Sequence, residues 1–317
     1  MHYIEEIREG ARVNEIYLCK QKQTLKTKAG KPYDSVILQD KTGTLDAKIW
    51  EPGSAGIEDF DAMDYVSVMG DVTNFQGTLQ LSIKRLRKAG EGEYEPKDYI
   101  PMTDQDVDVM YGKLQNYVRA LTNPYLKQLA AGCFLEDAEF EKRFKFHSAA
   151  KSVHHGFAGG LLEHTLGVAK LCDFYAGTYP LLNRDLLMVA ALFHDVGKLD
   201  ELSQFPANDY TDEGQLIGHI AMGMEFIGEK CRQIDGFPKK LENELKHCIL
   251  AHHGELEYGS PKKPALPEAV ALNFADNLDA KMETMKEIFA KVPKGNTDWL
   301  GFNRLFESNL RRSSVDE

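Results

Sequence analysis

Histidine side chains are concentrated in one part of this 317-residue sequence. Nine of the ten histidines lie between His147 and His253, and one of them follows the apolar run at 187–193 to begin the motif His194-Asp195-Val196-Gly197-Lys198. Imidazole is the most common protein ligand for transition metals, and carboxylates complete such sites. Burying these groups is costly unless they are paired or bind a metal. The pattern therefore predicts a metal site, although a capped helix end with a chance His-Asp pair would explain the dipeptide alone.

The phase of the apolar residues in each predicted helix selects the histidines that face inward. His252 lies three residues after Ile249, so it continues the apolar face of its helix. His253 is turned from His252 by about 100° and borders this face. His247 falls off the face, so we interpret it as a solvated residue.

The same phase argument applies to the other predicted helices. Asp276 follows Leu272 by four residues and lies on the inward face, and we rank Asp279 below it as a competitor. His164 follows Leu161 by three residues and also faces inward. Ligands on several helices suit a metal site inside a helical bundle. The candidate metal ligands are His164, His194, Asp195, His219, His252 and Asp276, with His253 at the border.

The elements that position these candidates are predicted to be helices throughout residues 138–290. Apolar residues recur at helical spacing near 138–150, 161–175, 184–194, 217–234, 239–253 and 268–286. Segments containing Gly or Pro separate several of these helices. We divide the chain into an N-terminal domain at 1–89, a linker and helical spacer at 90–137, the helical domain at 138–290 and a tail at 291–317.

Residues 11–88 show the alternation of apolar and polar residues that is typical of strands. It predicts five strands, near 12–18, 31–39, 43–50, 65–72 and 78–86, with a short helix around 56–63 between the third and fourth. This layout matches a five-stranded OB-fold β-barrel. The expected fold class is multidomain α+β, with this barrel followed by an all-α domain.

Basic and aromatic residues are interleaved along this predicted barrel. OB-fold barrels bind single strands by stacking bases on aromatic side chains in a positively charged groove. Residues 20–31 contain several lysines and no acidic residue. A solvated hairpin with ordinary core aromatics is the alternative interpretation. The candidate nucleic-acid-binding residues are Lys26, Lys28, Lys31, Tyr33, Trp50, Phe75, Lys84 and Arg85.

Composition and charge restrict the class of protein. A net charge of −11 argues against a protein that coats nucleic acid along its whole surface. The five cysteines form no C-x-x-C pair, which favours reduced thiols over a disulfide framework. The first residues lack the features of a signal peptide, and no apolar run approaches the roughly 20 residues that span a bilayer. We expect a soluble, cytoplasmic protein.

The candidate ligands occur in an order that resembles the HD superfamily of metal-dependent phosphohydrolases: His164, His194-Asp195, His219, His252 and Asp276. The OB-like region together with the segment from His154-His155-Gly156-Phe157 to Glu163-His164-Thr165 is similar to YhaM-type 3′-5′ exoribonucleases, over nearly the full length. This resemblance implies a homo-oligomeric cytoplasmic nuclease that acts on single-stranded RNA, and in some cases single-stranded DNA, and releases nucleoside 5′-monophosphates. It also implies divalent ions as cofactors, Mn²⁺ first, with Mg²⁺, Co²⁺ or Fe²⁺ as alternatives.

We expect two ions per subunit, with Asp195 shared between them. One ion would be held by His164, His194, Asp195 and Asp276, and the other by Asp195, His219 and His252, with His253 as a further candidate. Such a pair of ions activates water and stabilises the attacking and leaving oxygens. Lys198 is placed to neutralise charge on the phosphoryl oxygens. His154 and His155 are candidates to contact the scissile phosphate or protonate the departing 3′ oxygen, and stabilising a turn is the alternative.

Two other functions stay open at this point. One is a nucleotide phosphohydrolase or cyclic-nucleotide phosphodiesterase that uses the same helical site. The OB-like domain argues against it, because a mononucleotide needs no groove for a single strand. The other is a single-strand nucleic-acid-binding protein whose helical domain serves only for assembly, and the intact ligand set argues against that function.

Overall fold

A computed structural model describes residues 2–151, 155–290, 292–293 and 295–314 of the chain. Its N-terminal part is a β-barrel and its C-terminal part is helical, which confirms the expected fold class. Among the described residues, no helix is both long enough and apolar enough to cross a membrane.

Five strands form the closed N-terminal barrel. They are β1 (Arg12–Lys26), β2 (Pro32–Asp40), β3 (Gly43–Ile49), β4 (Tyr65–Phe75) and β5 (Thr78–Lys88). The strand order is β1-β2-β3-β5-β4, with β4 paired back to β1. The β3–β5 pair is parallel and the other pairs are antiparallel. This is the arrangement expected of an OB-like barrel.

Alternation along the strands fills the barrel with apolar side chains. In β3, Leu45, Ala47 and Ile49 are buried inside, so the residues between them face outward. A bulge in which Lys84 is the extra residue of β5 brings this strand against Gly70 of β4, where a Cβ atom would lie 2.2 Å from the carbonyl oxygen of Ser82. Only glycine fits this close approach.

The helix expected around residues 56–63 is wrong. This segment consists of turns and a bridge between Ile57 and Leu86. The nitrogen of Glu58 donates to the carbonyl of Leu86, and the nitrogen of Leu86 donates to the carbonyl of Gly56. Because β5 supplies these backbone partners, Gly56 and Glu58 do not use these groups for helical hydrogen bonds. Phe60 is buried against the barrel core.

The linker after β5 contacts both parts of the protein. Tyr94 stacks on Tyr65 of β4, with the ring centroids 3.7 Å apart. Farther along, the nitrogen of Thr103 donates to the carbonyl of Ala158, and its Oγ1 atom donates to a carboxylate oxygen of Glu163, 2.5 Å away. The linker therefore packs against the barrel at one end and is hydrogen-bonded to the helical part at the other.

Ten α-helices are described after the linker. They are α1 (Val107–Arg119), α2 (Pro124–Phe134), α3 (Ala138–Phe146), α4 (Gly160–Thr178), α5 (Arg184–Phe193), α6 (Lys198–Glu201), α7 (Asp212–Ile217), α8 (His219–Arg232), α9 (Lys239–Ala251) and α10 (Pro267–Ala290). Helix α5 is buried from Asp185 to Phe193 and packs against α2, α4, α9 and α10. The core thus surrounds the helix that delivers His194 and Asp195.

The C-terminal tail contains a small hairpin of β6 (Phe302–Asn303) and β7 (Ser308–Asn309). Trp299 is 65% exposed and Phe302 is 67% exposed.

Candidate metal centre and nucleic-acid surface

The predicted metal ligands converge from five helices. His164 lies in the second turn of α4, and Asp276 lies in the middle of α10. His194 and Asp195 directly follow α5, while His219 begins α8 and His252 directly follows α9. The packing of these helices brings together side chains that are up to 112 residues apart, the separation of His164 and Asp276.

One half of the centre is formed by His164, His194 and Asp276. The Nε2 atom of His164 lies 3.1 Å from Oδ1 of Asp276 and 3.1 Å from Nε2 of His194. The Oδ2 atom of Asp195 lies 3.4 Å from Nε2 of His194. These four side chains therefore point donor atoms at one small volume.

The other half uses the second oxygen of the same aspartate. Oδ1 of Asp195 lies 3.4 Å from Nε2 of His219 and 3.7 Å from Nε2 of His252. His253 borders this half, since its ligand atom lies within 4.8 Å of those of His219 and His252. The carboxylate of Asp195 thus faces both halves, one with each oxygen.

Each of these histidine rings is held through its Nδ1 atom. Nδ1 of His194 lies 2.8 Å from the carbonyl oxygen of Ala191, and Nδ1 of His252 lies 2.7 Å from that of Ile249. A carbonyl only accepts hydrogen bonds, so Nδ1 carries the proton and Nε2 keeps its lone pair. The three other contacts are His164 to Asp279, His219 to Glu201 and His253 to the carbonyl of Tyr258.

Three buried atoms of the centre lack a hydrogen-bond partner among the described residues: Asp195 Oδ1, His219 Nε2 and His252 Nε2. Leaving such an atom unsatisfied costs about 1–3 kcal/mol. Each is a lone-pair donor, and all three face the same half of the centre. Imidazole nitrogens and carboxylate oxygens are the ligands of Mn²⁺, Fe²⁺ and Zn²⁺ sites, so the residue set fits divalent ions.

The charges in the centre agree with this interpretation. Burial lowers the pKa of His252 well below its usual value, which keeps the ring in the neutral, ligating form. Burial also disfavours a charged His164, but hydrogen bonds to Asp276 and Asp279 outweigh it and raise the pKa of His164 to about 10. The carboxylates around His164 thus favour a positive charge at that position, and a bound cation would supply it.

The structure places His155 beside this centre, whereas His154 lies outside the described residues. The ring of His155 is buried, with its centroid 5.3 Å from that of His164. Its Nε2 atom lies 3.3 Å from Oδ2 of Asp279, and its Nδ1 atom has no hydrogen-bond partner in the described part of the chain. His155 therefore keeps one nitrogen available for a further contact.

Two acidic residues near the centre were not recognised in the sequence as partners of the ligands. Asp279 was considered only as a competing ligand, and its Oδ2 atom lies 2.8 Å from Nδ1 of His164. Glu201 was not considered, and its Oε1 atom lies 3.0 Å from Nδ1 of His219. The spacing of Asp279, three residues after Asp276, was a usable signal, whereas Glu201 lies in a four-residue helix without readable periodicity.

On the barrel, Tyr33 and Trp50 come together as neighbours. Their ring centroids are 5.2 Å apart, and Trp50 is 47% exposed. Lys26, Lys28 and Lys31 are exposed at the adjacent β1–β2 turn, where Lys31 forms an ion pair with Glu51 at 3.2 Å. An exposed aromatic pair beside three lysines is a surface that can stack bases and contact phosphates.

The other barrel candidates are not all part of this surface. The parallel β3–β5 register pairs Lys48 with Ser82, which places Lys84 level with Trp50. Phe75 is exposed at the β4–β5 turn. Thr78, the first residue of β5 after this turn, precedes Lys84 by six residues, which corresponds to about 20 Å along the strand.

Arg85 is exposed and follows Lys84 at the bulge of β5. It packs against Gly56, where a glycine Cβ atom would lie 3.3 Å from its Cγ atom. Lys84 forms an ion pair with Asp71. Lys48, which the sequence did not single out, is on the outer face of β3 and bonds Ser35 at 2.7 Å.

Comparison with known proteins adds a family to this geometry. The family described as HD domain matches residues 161–281, a range that contains all the candidate metal ligands. The chain is 35% identical over 267 residues to the 3′-5′ exoribonuclease YhaM of Geobacillus sp. (strain WCH70), covering 84% of this chain and 81% of that protein. The chain belongs to the YhaM-type 3′-5′ exoribonuclease family.

Two solved structures each overlap less than a third of this YhaM-type chain. The second OB-fold domain of replication protein A from Methanococcus maripaludis is 19% identical, with 30% of this chain and 98% of that domain covered, at a TM-score of 0.23. A replication protein A heterotrimer bound to ssDNA is 17% identical, with 28% and 64% covered, at a TM-score of 0.21. The OB-like character of the barrel therefore rests on its strand order.

Proposed function

We propose that this YhaM-type protein is a metal-dependent 3′-5′ exoribonuclease that hydrolyses single-stranded RNA to nucleoside 5′-monophosphates, with single-stranded DNA as a second substrate. The observation that carries the proposal is the position of Asp195, whose two oxygens face different groups of inward-pointing histidine Nε2 atoms. A carboxylate in this position would be able to hold two ions, which would supply activation of water and stabilisation of the leaving oxygen. The relative in Geobacillus, which bears the name 3′-5′ exoribonuclease, supports the reaction and its direction.

The residues proposed for one ion are His164, His194, Asp195 and Asp276, and those for the other are Asp195, His219 and His252, with His253 at the border. Divalent ions held there, with Mn²⁺ as the proposed metal, would supply activation of water and neutralisation of oxygen charge during an in-line displacement. Burial of the ligands excludes bulk water and strengthens their interactions with a charged phosphodiester.

Lys198 and His155 have separate proposed roles next to the ions. The ammonium group of Lys198 lies within the centre and would contact oxygens of the scissile phosphate as negative charge develops there. His155 donates from Nε2 to Asp279, so Nδ1 is its remaining nitrogen for the phosphate or the departing 3′ oxygen. His154, its neighbour in sequence, is a further candidate for the same role.

The barrel would hold nucleotides upstream of the cleaved bond. Tyr33 and Trp50 offer adjacent aromatic faces for base stacking. Lys26, Lys28 and Lys31 would neutralise backbone phosphates, with Lys84 on the same face and Phe75 and Arg85 as separate contacts. This division of labour explains why one chain combines a barrel with a helical metal centre.

The decisive experiment replaces the shared ligand. Asp195→Ala should abolish hydrolysis of end-labelled single-stranded RNA with added Mn²⁺, while RNA binding remains close to wild type because the barrel is untouched. Free nucleotides and cyclic nucleotides, assayed in parallel, should be poor substrates of the wild type. Substantial hydrolysis by the variant, or a preference for free nucleotides, would contradict the proposal.

Self-association and a cytoplasmic location complete the proposal. Helix α10 exposes four apolar side chains at intervals of four residues, which is unusual for a surface that contacts only water: Val270, Phe274, Leu278 and Met282. All five cysteines are buried and unpaired, as suits a reducing compartment. Light scattering of the purified protein should give a mass above that of one chain, and Phe274→Glu should lower it if this row contributes.

A further inference from the structure

Two carboxylates outside the ligand set each hold one histidine of the metal centre. Asp279, on α10, accepts a hydrogen bond from Nδ1 of His164 at 2.8 Å. Glu201, at the end of α6, accepts one from Nδ1 of His219 at 3.0 Å and another from the backbone nitrogen of His219 at 3.0 Å. Each half of the centre therefore contains one histidine held by a carboxylate.

The second histidine in each half is held differently. His194 and His252 donate to the carbonyls of Ala191 and Ile249, each three residues earlier in the chain. A carbonyl carries only a partial charge, whereas a carboxylate carries a full one and increases the electron density on the opposite ring nitrogen. The two carboxylate-held histidines are thus the stronger donors of their respective halves.

Two glycines leave room for these acids, one for the carboxylate of Asp279 and one for the backbone of Glu201. A Cβ atom on residue 167 of α4 would lie 2.0 Å from Oδ1 of Asp279, so Gly167 leaves the space that this carboxylate occupies. A Cβ atom on Gly214 of α7 would lie 2.2 Å from the carbonyl oxygen of Glu201, which also accepts from the nitrogen of Thr211. Neither acid is therefore a loosely held surface group.

We propose that Asp279 and Glu201 are positioning residues that set the affinities of the two ion positions separately. Asp279 acts through His164 on the ion shared with His194 and Asp276, and Glu201 acts through His219 on the ion shared with His252. This inference rests on the proposed two-ion function. Removing such a partner typically lowers metal affinity by about 10- to 100-fold.

The test measures binding of Mn²⁺ alone to the full-length protein, without RNA, by calorimetry and by electron paramagnetic resonance of the free ion. The wild type should bind two ions. Asp279→Asn and Glu201→Gln, which keep the side-chain shape, should each weaken one ion by about 10- to 100-fold and leave the other unchanged.

A background that lacks one ion identifies which position each acid controls. Asp276→Asn removes a ligand of the first ion only. In this background Glu201→Gln should weaken the remaining ion, whereas Asp279→Asn should have no further effect. If Asp279→Asn weakens the remaining ion as strongly as Glu201→Gln does, separate control is wrong.

Glu242→Gln is the matched control, because Glu242 is a buried carboxylate on α9 that pairs with Lys239 and Lys246, and none of these residues belongs to the centre. It should leave both affinities at the wild-type values. The melting temperature of the metal-free Asp279→Asn and Glu201→Gln proteins should also match the wild type, and a large fall in it would mean a merely structural role. If the wild type binds no Mn²⁺, the proposed function fails; if it binds two ions and both variants keep its affinities, only the positioning role fails.

Discussion

The Nζ atom of Lys198 lies 2.9 Å from Oδ2 of Asp195, and Asp195 precedes Lys198 by three residues in the chain. This is the oxygen that faces His194, whereas Oδ1 faces His219. Burial disfavours a charged lysine, but the charge of Asp195 outweighs it and raises the pKa of Lys198. A permanent ammonium group therefore stands beside the carboxylate that we assign to both ions.

Replacing Lys198 by alanine should lower kcat without releasing the metal. An ammonium group has no lone pair for an ion, so the Mn²⁺ content of Lys198→Ala should equal that of the wild type. Loss of one preorganised charge at the phosphoryl oxygens should reduce kcat on labelled RNA by about 100- to 1,000-fold. Lys246→Ala, which removes a lysine paired with Glu242 on α9, is the control and should keep full activity. A metal-depleted Lys198→Ala protein would contradict the assigned role.

Replacing the exposed aromatic residue of the barrel should weaken RNA binding rather than chemistry. Trp50 lies 5.2 Å from Tyr33 between ring centroids, and a stacked base contributes about 1–3 kcal/mol to binding. Fluorescence anisotropy with the inactive Asp195→Ala protein should show weaker binding of single-stranded RNA after Trp50→Ala. Trp299→Ala, another exposed tryptophan, should bind as the parent does. Equal losses from both substitutions would argue against a binding surface at Trp50.

Helical phase was sufficient to choose most candidates of the metal centre from the sequence. His164, His252 and Asp276 were each selected because they continue an apolar face, and the structure brings their ligand atoms into one cluster with His194. This works because a helix that packs on a core by one face places every residue of that face toward the same interior. The alternating pattern of β3 identified its buried face for a similar reason.

The partners of the ligands depend on how helices cross, which no local pattern encodes. Glu201 reaches His219 only because α6 packs on α8, and Asp279 reaches His155 across 124 residues of sequence. Prediction from the sequence met a similar limit in the barrel. A strand pattern shows that Phe75 and Trp50 are exposed, but the parallel β3–β5 pairing that separates them is a property of the closed barrel.

Removing the metal should destabilise the helical domain. Asp195 Oδ1, His219 Nε2 and His252 Nε2 have no hydrogen-bond partner in the described structure, and ions that bind only the folded state stabilise it. Saturation at a hundred times the dissociation constant contributes about 2.7 kcal/mol for one ion. Calorimetry should therefore show a lower melting temperature after chelation and recovery with Mn²⁺. Asp195→Ala should show little recovery, and an unchanged melting temperature in the wild type would contradict the metal centre.

Asp185 should make the stability of the helical domain depend on pH. Its Oδ2 atom accepts hydrogen bonds from the nitrogen of Thr122 at 2.7 Å, the hydroxyl of Thr122 at 2.8 Å and the nitrogen of Asn123 at 2.6 Å. Burial opposes ionisation, but these bonds outweigh it, so the pKa of Asp185 is below its usual value. A lowered folded-state pKa means that the stabilisation is complete above the usual aspartate pKa of about 4 and is lost as the pH falls through the folded-state value.

Denaturant unfolding of Asp185→Ala at neutral pH should therefore show a loss of about 1–3 kcal/mol, because three donors lose their acceptor. The difference from the wild type should shrink as the pH falls below 4, where Asp185 of the wild type becomes protonated. Asp173→Ala is the control. The side chain of Asp173 forms an ion pair with Arg184 and is 38% exposed, and such an exposed pair contributes about 0–1 kcal/mol. A difference between wild type and Asp185→Ala that stays constant down to strongly acidic pH would show that the ionised carboxylate is not what holds Thr122 and Asn123 against α5.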